Sequence, residues 1–135
     1  MAGTFRHVAK ATFLVSKKEG LSDEEFRKHY TEVHAPMALD FCKRYGVLDY
    51  SIHFNTEAER AVTRAAFGSK TSFINCDAIT TFVFPNMELL LASFADPEYE
   101  TKLGADEKNF ANDQKLQFAV SDEFVLLAGG QEQTS

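Results

Sequence analysis

Apolar positions along this chain fall into runs whose period changes from two to about 3.6 and back, and that alternation predicts its elements. His7 to Ser16 is rich in β-branched and aromatic residues and reads as a first strand. From Ser22 the spacing turns helical: Phe26, Tyr30, Val33, Met37 and Phe41 share one face, so the pattern predicts a helix over residues 22–45. Its start carries a capping box, Ser22 with Glu25, bracketed by Leu21 and Phe26 as a hydrophobic staple. Pro36 removes a backbone donor inside the run, which predicts a bend there. Gly46 suits a left-handed helix cap. Val47 to Phe54 alternates, with Leu48, Tyr50, Ile52 and Phe54 on one face and Asp49, Ser51 and His53 on the other, as a half-buried strand does.

Residues 55–76 interrupt the regular order. Glu57 to Phe67 reads as a short helix and Gly68 to Ser72 as a loop, which makes the segment either a lid or pocket wall or a surface excursion. Asp77 to Phe84 is a third strand that Pro85 stops. Asn86 caps a helix burying Met87, Leu90, Leu91 and Phe94. Asp96-Pro97 opens a further helical piece with Tyr99, Leu103 and Phe110 inward. Leu116 to Leu127 is the last strand, with a bulge or bend at Asp122-Glu123, and residues 129–135 read as a polar tail without fixed structure. The resulting βαββαβ order is a single α+β domain, with helices on one face of an antiparallel four-stranded sheet.

A chain of 135 residues, 44% hydrophobic and 25% charged, holds one core. Its net charge of −6 and pI near 5.2 argue against a nucleic-acid partner, which needs a basic footprint. No apolar run approaches the ~20 residues of a membrane span, and the first residues lack the long apolar segment of a secretory signal. The expected location is cytoplasmic. There, Cys42 and Cys76 are expected as free thiols. Thirteen phenylalanines and no tryptophan make an aromatic core, or a pocket lined for a flat aromatic ligand.

His34 is the first candidate for chemistry. An imidazole beside a buried stripe can act as a general acid or base at a pocket mouth; alternatively it caps helix carbonyls at the Pro36 bend. Tyr30, one turn earlier on the same face, can orient it or bond a ligand. His53 is a second acid–base candidate only if the polar face of its strand meets the ligand. His29 lies between Arg27 and Lys28 and the following helix turn, which reads as a solvated face; five residues from His34, it would splay away on a regular helix. Asp40 is off the His34 face, and His7 has no assigned role. Lys70, Ser69 and Ser72 are loop candidates for a ligand carboxylate. No glycine-rich phosphate loop, paired metal-ligand spacing or nucleophile motif occurs, so neither a cofactor nor a metal is expected.

Two ordered blocks resemble the EthD family. The first runs from Lys17-Lys18-Glu19-Gly20-Leu21-Ser22 through Glu25-Phe26 and Tyr30 to His34-Ala35-Pro36. The second comprises Cys76-Asp77-Ala78, Asp96-Pro97-Glu98-Tyr99 and Asp106-Glu107-Lys108-Asn109-Phe110. The resemblance implies a ferredoxin-like protomer and a homodimer that closes two sheets into an α/β-barrel. It also implies a histidine at the place of His34 and an acidic residue at Asp77. Family members include fungal proteins that tailor aromatic polyketides without a cofactor. The implied activity is decarboxylation of a polyketide carboxylic acid. A protonated His34 would deliver a proton to the ring carbon, with Tyr30 or His53 steadying the developing negative charge. Met37, Phe41, Tyr50, Phe94 and Asp77 are the substrate-contact candidates. A cyclase or dehydratase using His34 as base, a cofactor-free monooxygenase and a non-catalytic ligand-binding dimer are the alternatives.

Overall fold

The computed structural model describes the backbone of residues 1–135 and every side chain except that of Ser69, which therefore lies outside the described residues. Strand β1 (Thr4–Val15) leads into helix α1 (Asp23–His29), a π turn (Tyr30–His34) and helix α2 (Ala35–Arg44). Strand β2 (Asp49–Phe54) is followed by helix α3 (Glu57–Phe67) and strand β3 (Ala78–Phe84). Helix α4 (Met87–Ala95), a second π turn (Tyr99–Gly104) and helix α5 (Ala105–Phe110) precede strand β4 (Gln117–Val125). The sheet order is β2-β3-β1-β4 with every neighbouring pair antiparallel, a ferredoxin-like arrangement.

One face of this sheet carries the core. Ala9, Ala11, Phe13 and Val15 of β1 alternate inward beside Ala78, Thr80, Phe82 and Phe84 of β3. The alanines let the helices approach closely, and the aromatic rings fill the space between. Phe26 and Phe110, each 1% exposed, join Val15, Tyr30 and Ala78 in one cluster. The other face is largely polar: Glu123 accepts from Arg6 (2.9 Å) and Lys10 (2.8 Å). Among the described residues no helix is long and apolar enough to cross a membrane.

The capping box forms as the sequence predicts, with Glu25 N donating to Ser22 Oγ and Ser22 N to the Glu25 carboxylate. The bend expected at Pro36 takes a particular form. Ala35 N–H bonds Tyr30 O, five residues back, so one π turn joins α1 to α2. Pro36, lacking an N–H, sits where an α-helix would need one for the next bond. The irregularity expected near Asp122-Glu123 falls at that level, but the extra residues belong to β1: Arg6 pairs with Glu123 and Lys10 with Ser121.

One expectation fails, and one open alternative is decided. Residues 129–135 are not a structureless tail: β5 (Leu127–Ala128) pairs with β6 (Gln131–Glu132), and Gly3 N donates to Gln133 O at 2.6 Å. Two successive glycines, Gly129 and Gly130, both at positive φ, make that tight turn. The inserted helix α3 buries none of its residues and lines no part of the cleft described below. It is a surface excursion, tied down by Arg60, which bonds Cys76 O and the Asp77 carboxylate (3.0 Å).

Candidate active site

Between the inner sheet face and the helices lies a narrow cleft with about 70 Å³ of free volume. Its walls are mostly aromatic: Phe13 and Phe82 from the sheet, Phe41, Phe94 and Phe110 from the helices. The polar groups among them are few, namely Tyr30, His34, Thr80, Ser93, Tyr99, Glu107, Asn112 and Asp113. No lysine or arginine is among the described lining residues.

His34 sits in the π turn, 7% exposed, with the Phe110 ring 4.9 Å away. Its Nδ1 lies 3.0 Å from Asp106 Oδ2. A carboxylate can only accept, so Nδ1 carries the proton and the lone pair of Nε2 is free for a ligand. Burial pushes the His34 pKa below its ordinary 6.5, against the opposing pull of Asp106. The resting imidazole is therefore neutral near pH 7. Asp106 is itself 7% exposed and is further held by Asn109 Nδ2 at 3.1 Å. Although burial opposes it, the bonds from Asn109, His29 and His34 hold its carboxyl below the usual range.

Glu107, the next residue, faces the cleft. Burial, reinforced by the Asp113 charge, pushes its pKa up to about 7, so it keeps its proton below neutrality and is about half ionised at pH 7. Hydrogen bonds from Lys18 N to Phe110 O (2.8 Å) and from Asn112 N to Ser16 O (2.9 Å) anchor the end of α5 to the end of β1. That anchorage fixes where Asp106 and Glu107 stand. The Tyr30 hydroxyl bonds Thr80 Oγ1 at 2.5 Å, and burial pushes its pKa up to about 12. With Thr80 as donor, the phenol proton is free for a ligand oxygen. Burial raises the Cys42 thiol to about 11, which keeps this lining residue protonated.

The structure brings together His34, Tyr30, Phe41 and Phe94 of the sequence-predicted set. It separates the others. His53 is exposed on the opposite sheet face, paired with Ile79. Asp77 is taken up by Lys17 N (2.7 Å) and Arg60, at the edge of the insertion. Tyr50 stacks on Phe82 at 4.4 Å, and Met37 packs against the cluster of Ala38, Phe41 and Leu103; neither lines the cleft. Lys70 and Ser72 are exposed.

The reading of His29 as a purely solvated residue is wrong. Its Nε2 lies 3.0 and 3.2 Å from the two Asp106 oxygens, so both histidines share one carboxylate. On an α-helix, residues five apart diverge by about 140°. The i→i−5 bonding of the π turn carries the two rings to the same side. Asp106 and Glu107 also went unassigned by sequence reasoning, though both stand in the second family-like block. The signal was two adjacent acids just before the inward Phe110.

Comparisons with known proteins agree with this fold. The EthD domain model matches residues 18–114. The chain is similar to dehydratase aurZ of Gibberella zeae, 31% identical over 117 residues, covering 84% of this chain and 77% of that protein. It is also similar to decarboxylase claH of Passalora fulva, 30% identical, covering 84% and 76%. A conidial pigment biosynthesis dehydratase of Metarhizium robertsii is 26% identical, covering 84% and 82%. Among solved structures, an EthD family protein of Bacillus halodurans matches with a TM-score of 0.59 at 19% identity, covering 86% of this chain and 98% of that one.

Proposed function

We propose that this chain, which belongs to the EthD domain family, is a cofactor-independent lyase that eliminates water from a hydroxylated aromatic polyketide. One observation carries the reading: a neutral His34, backed by Asp106, opens onto the same apolar cleft as a Glu107 that keeps its proton to about pH 7. Elimination of water needs that pair, a base for the carbon acid and an acid for the leaving hydroxyl.

In the proposed reaction His34 Nε2 takes the proton next to a ketone. The electron pair forms the new C=C bond as the C–O bond breaks, and Glu107 delivers its proton to the departing oxygen, releasing water. Tyr30, held by Thr80, donates to the ketone oxygen as negative charge develops there. Asp106 steadies the imidazolium formed in the first step. The aromatic walls suit a flat, largely uncharged substrate, and the lack of a lysine or arginine among the described lining residues favours a neutral one. The names of the relatives, dehydratase and decarboxylase, support a lyase.

Decarboxylation is the second reading, favoured by relatives named decarboxylase. A polyketide carboxylate in this apolar cleft would lack a cationic partner, which favours its loss as carbon dioxide. The proton for the ring carbon would then come from Glu107 rather than from His34, whose burial works against the protonated state. A homodimer closing on the uncovered sheet face belongs to the same proposal.

Mass spectrometry tests the reading on a panel of aromatic β-hydroxy ketones and β-keto acids, without added cofactor. Loss of water by the wild type, reduced ~100-fold or more in His34→Ala, is the expected result. Loss of carbon dioxide instead selects the second reading. Equal loss of water by His34→Ala overturns the first reading, and equal loss of carbon dioxide by Glu107→Gln overturns the second.

A further inference from the structure

The acid–base pair leaves His29 without a role, although it touches the group on which His34 depends. His29 ends α1, stacks on Phe110 at 5.1 Å and approaches both oxygens of Asp106. Its side chain is 27% exposed, whereas those of His34 and Asp106 are each 8% exposed. One negative charge thus stands between two imidazoles, one facing the cleft and the other reachable by solvent protons.

The consequence is electrostatic. His34 becomes an imidazolium in an apolar cleft only because Asp106 compensates the new charge. When His29 is protonated, that compensation is already in use, and a second cation adds like-charge repulsion. Of the titratable groups facing His29, Asp106 from α5 and His34 from the π turn are in hydrogen-bonded contact with it or share its carboxylate. Glu25 and Glu32 lie one turn away on its own helical run and are exposed, and its remaining neighbours on α5, Asn109 and Phe110, are uncharged.

We propose that His29 is a positioning residue that sets, through the shared Asp106 carboxylate, how readily His34 accepts a proton from the substrate. Neutral His29 holds the carboxylate in place and leaves its charge to His34. Protonated His29 holds it equally well and withdraws that charge, so the base is weakened from outside the cleft without any change of shape. The role rests on the acid–base reading of the site, while the coupling itself does not.

Two substitutions of opposite electrostatic meaning test this. His29→Gln keeps a donor for Asp106 and cannot be charged, whereas His29→Lys supplies a fixed positive charge. Ring-labelled histidine NMR on the free protein reads the His34 titration midpoint. His29→Gln is expected to raise it and His29→Lys to lower it, each by about one pH unit. A merely structural role would move the midpoint in the same direction in both variants, or not at all, and either result overturns the inference. Turnover gives a second readout. His29→Lys should lose about tenfold in kcat/KM at neutral pH, the equivalent of one pK unit. If no compound in the panel is turned over, the lyase reading fails and the NMR midpoints still decide the coupling. If turnover proceeds but the midpoints do not split, the coupling alone is refuted.

Discussion

Replacing Glu107 by glutamine should change both the stability and the pH profile of this protein. Glutamine is nearly isosteric and keeps a hydrogen-bonding head, but it neither ionises nor gives up a proton in the reaction. In the folded chain the Glu107 carboxyl titrates at about 7, against 4.5 for an unperturbed group. A raised folded value means that the native state holds its proton more tightly than the unfolded chain does. The associated stability is therefore complete below pH 4.5 and is lost progressively as the pH rises to about 7. At ~1.4 kcal/mol per pH unit, that interval corresponds to about 3 kcal/mol. Urea denaturation of both chains at pH 4, 5, 6, 7 and 8 measures it, because every other titrating group is common to the two. The stability of the wild type should fall relative to Glu107→Gln by about 3 kcal/mol between pH 4.5 and 7, then run parallel to it. In turnover, the wild type should give a bell. Its rising limb lies below the ordinary histidine value because His34 is depressed, and its falling limb lies near 7. Glu107→Gln should lose the falling limb and at least ~100-fold in kcat. Parallel stability curves over the whole range would refute the claim that this carboxyl is held protonated.

Two further substitutions probe the frame around the pair. Asp106→Asn should lower kcat by on the order of 10²-fold or more with little change in KM, because the imidazolium loses its counter-charge; single-turnover kinetics with saturating substrate would check it. Phe110→Ala should cost about 3–5 kcal/mol in urea denaturation, since this 1%-exposed ring packs against Phe26, Tyr30, His29 and His34 together.

Those elements were not equally legible in the sequence. The capping box, the alternation of β2 and the aromatic faces are local patterns with a fixed period, so the four strands of the main sheet and the helices could be read from them, while the short β5–β6 hairpin could not, and His34 and Tyr30 fell on the buried face. His29 could not be placed that way, because a 3.6-residue period turns it away from His34 and only the π turn brings it back. Glu107 looked like any exposed acid; its burial depends on α5 being pinned to β1 more than ninety residues earlier in the chain. His53 shows the converse. Alternation correctly put it on the polar face of β2, but which face meets the cleft is decided by where the helices pack.

The π turn also says something about chain length. Such a turn is an α-helix carrying one residue more than its hydrogen bonding requires, and here the surplus lies between Tyr30 and His34. Removing a single residue such as the exposed Thr31 would let α1 and α2 merge into one regular helix. The local backbone would gain from that repair, and the two histidines, then four residues apart on a regular helix, would stand about 40° apart around it rather than about 140°. The π turn and a helix one residue shorter are thus two solutions to the same problem, and a relative one residue shorter between its two histidines would bring both to the shared carboxylate through an ordinary α-helix.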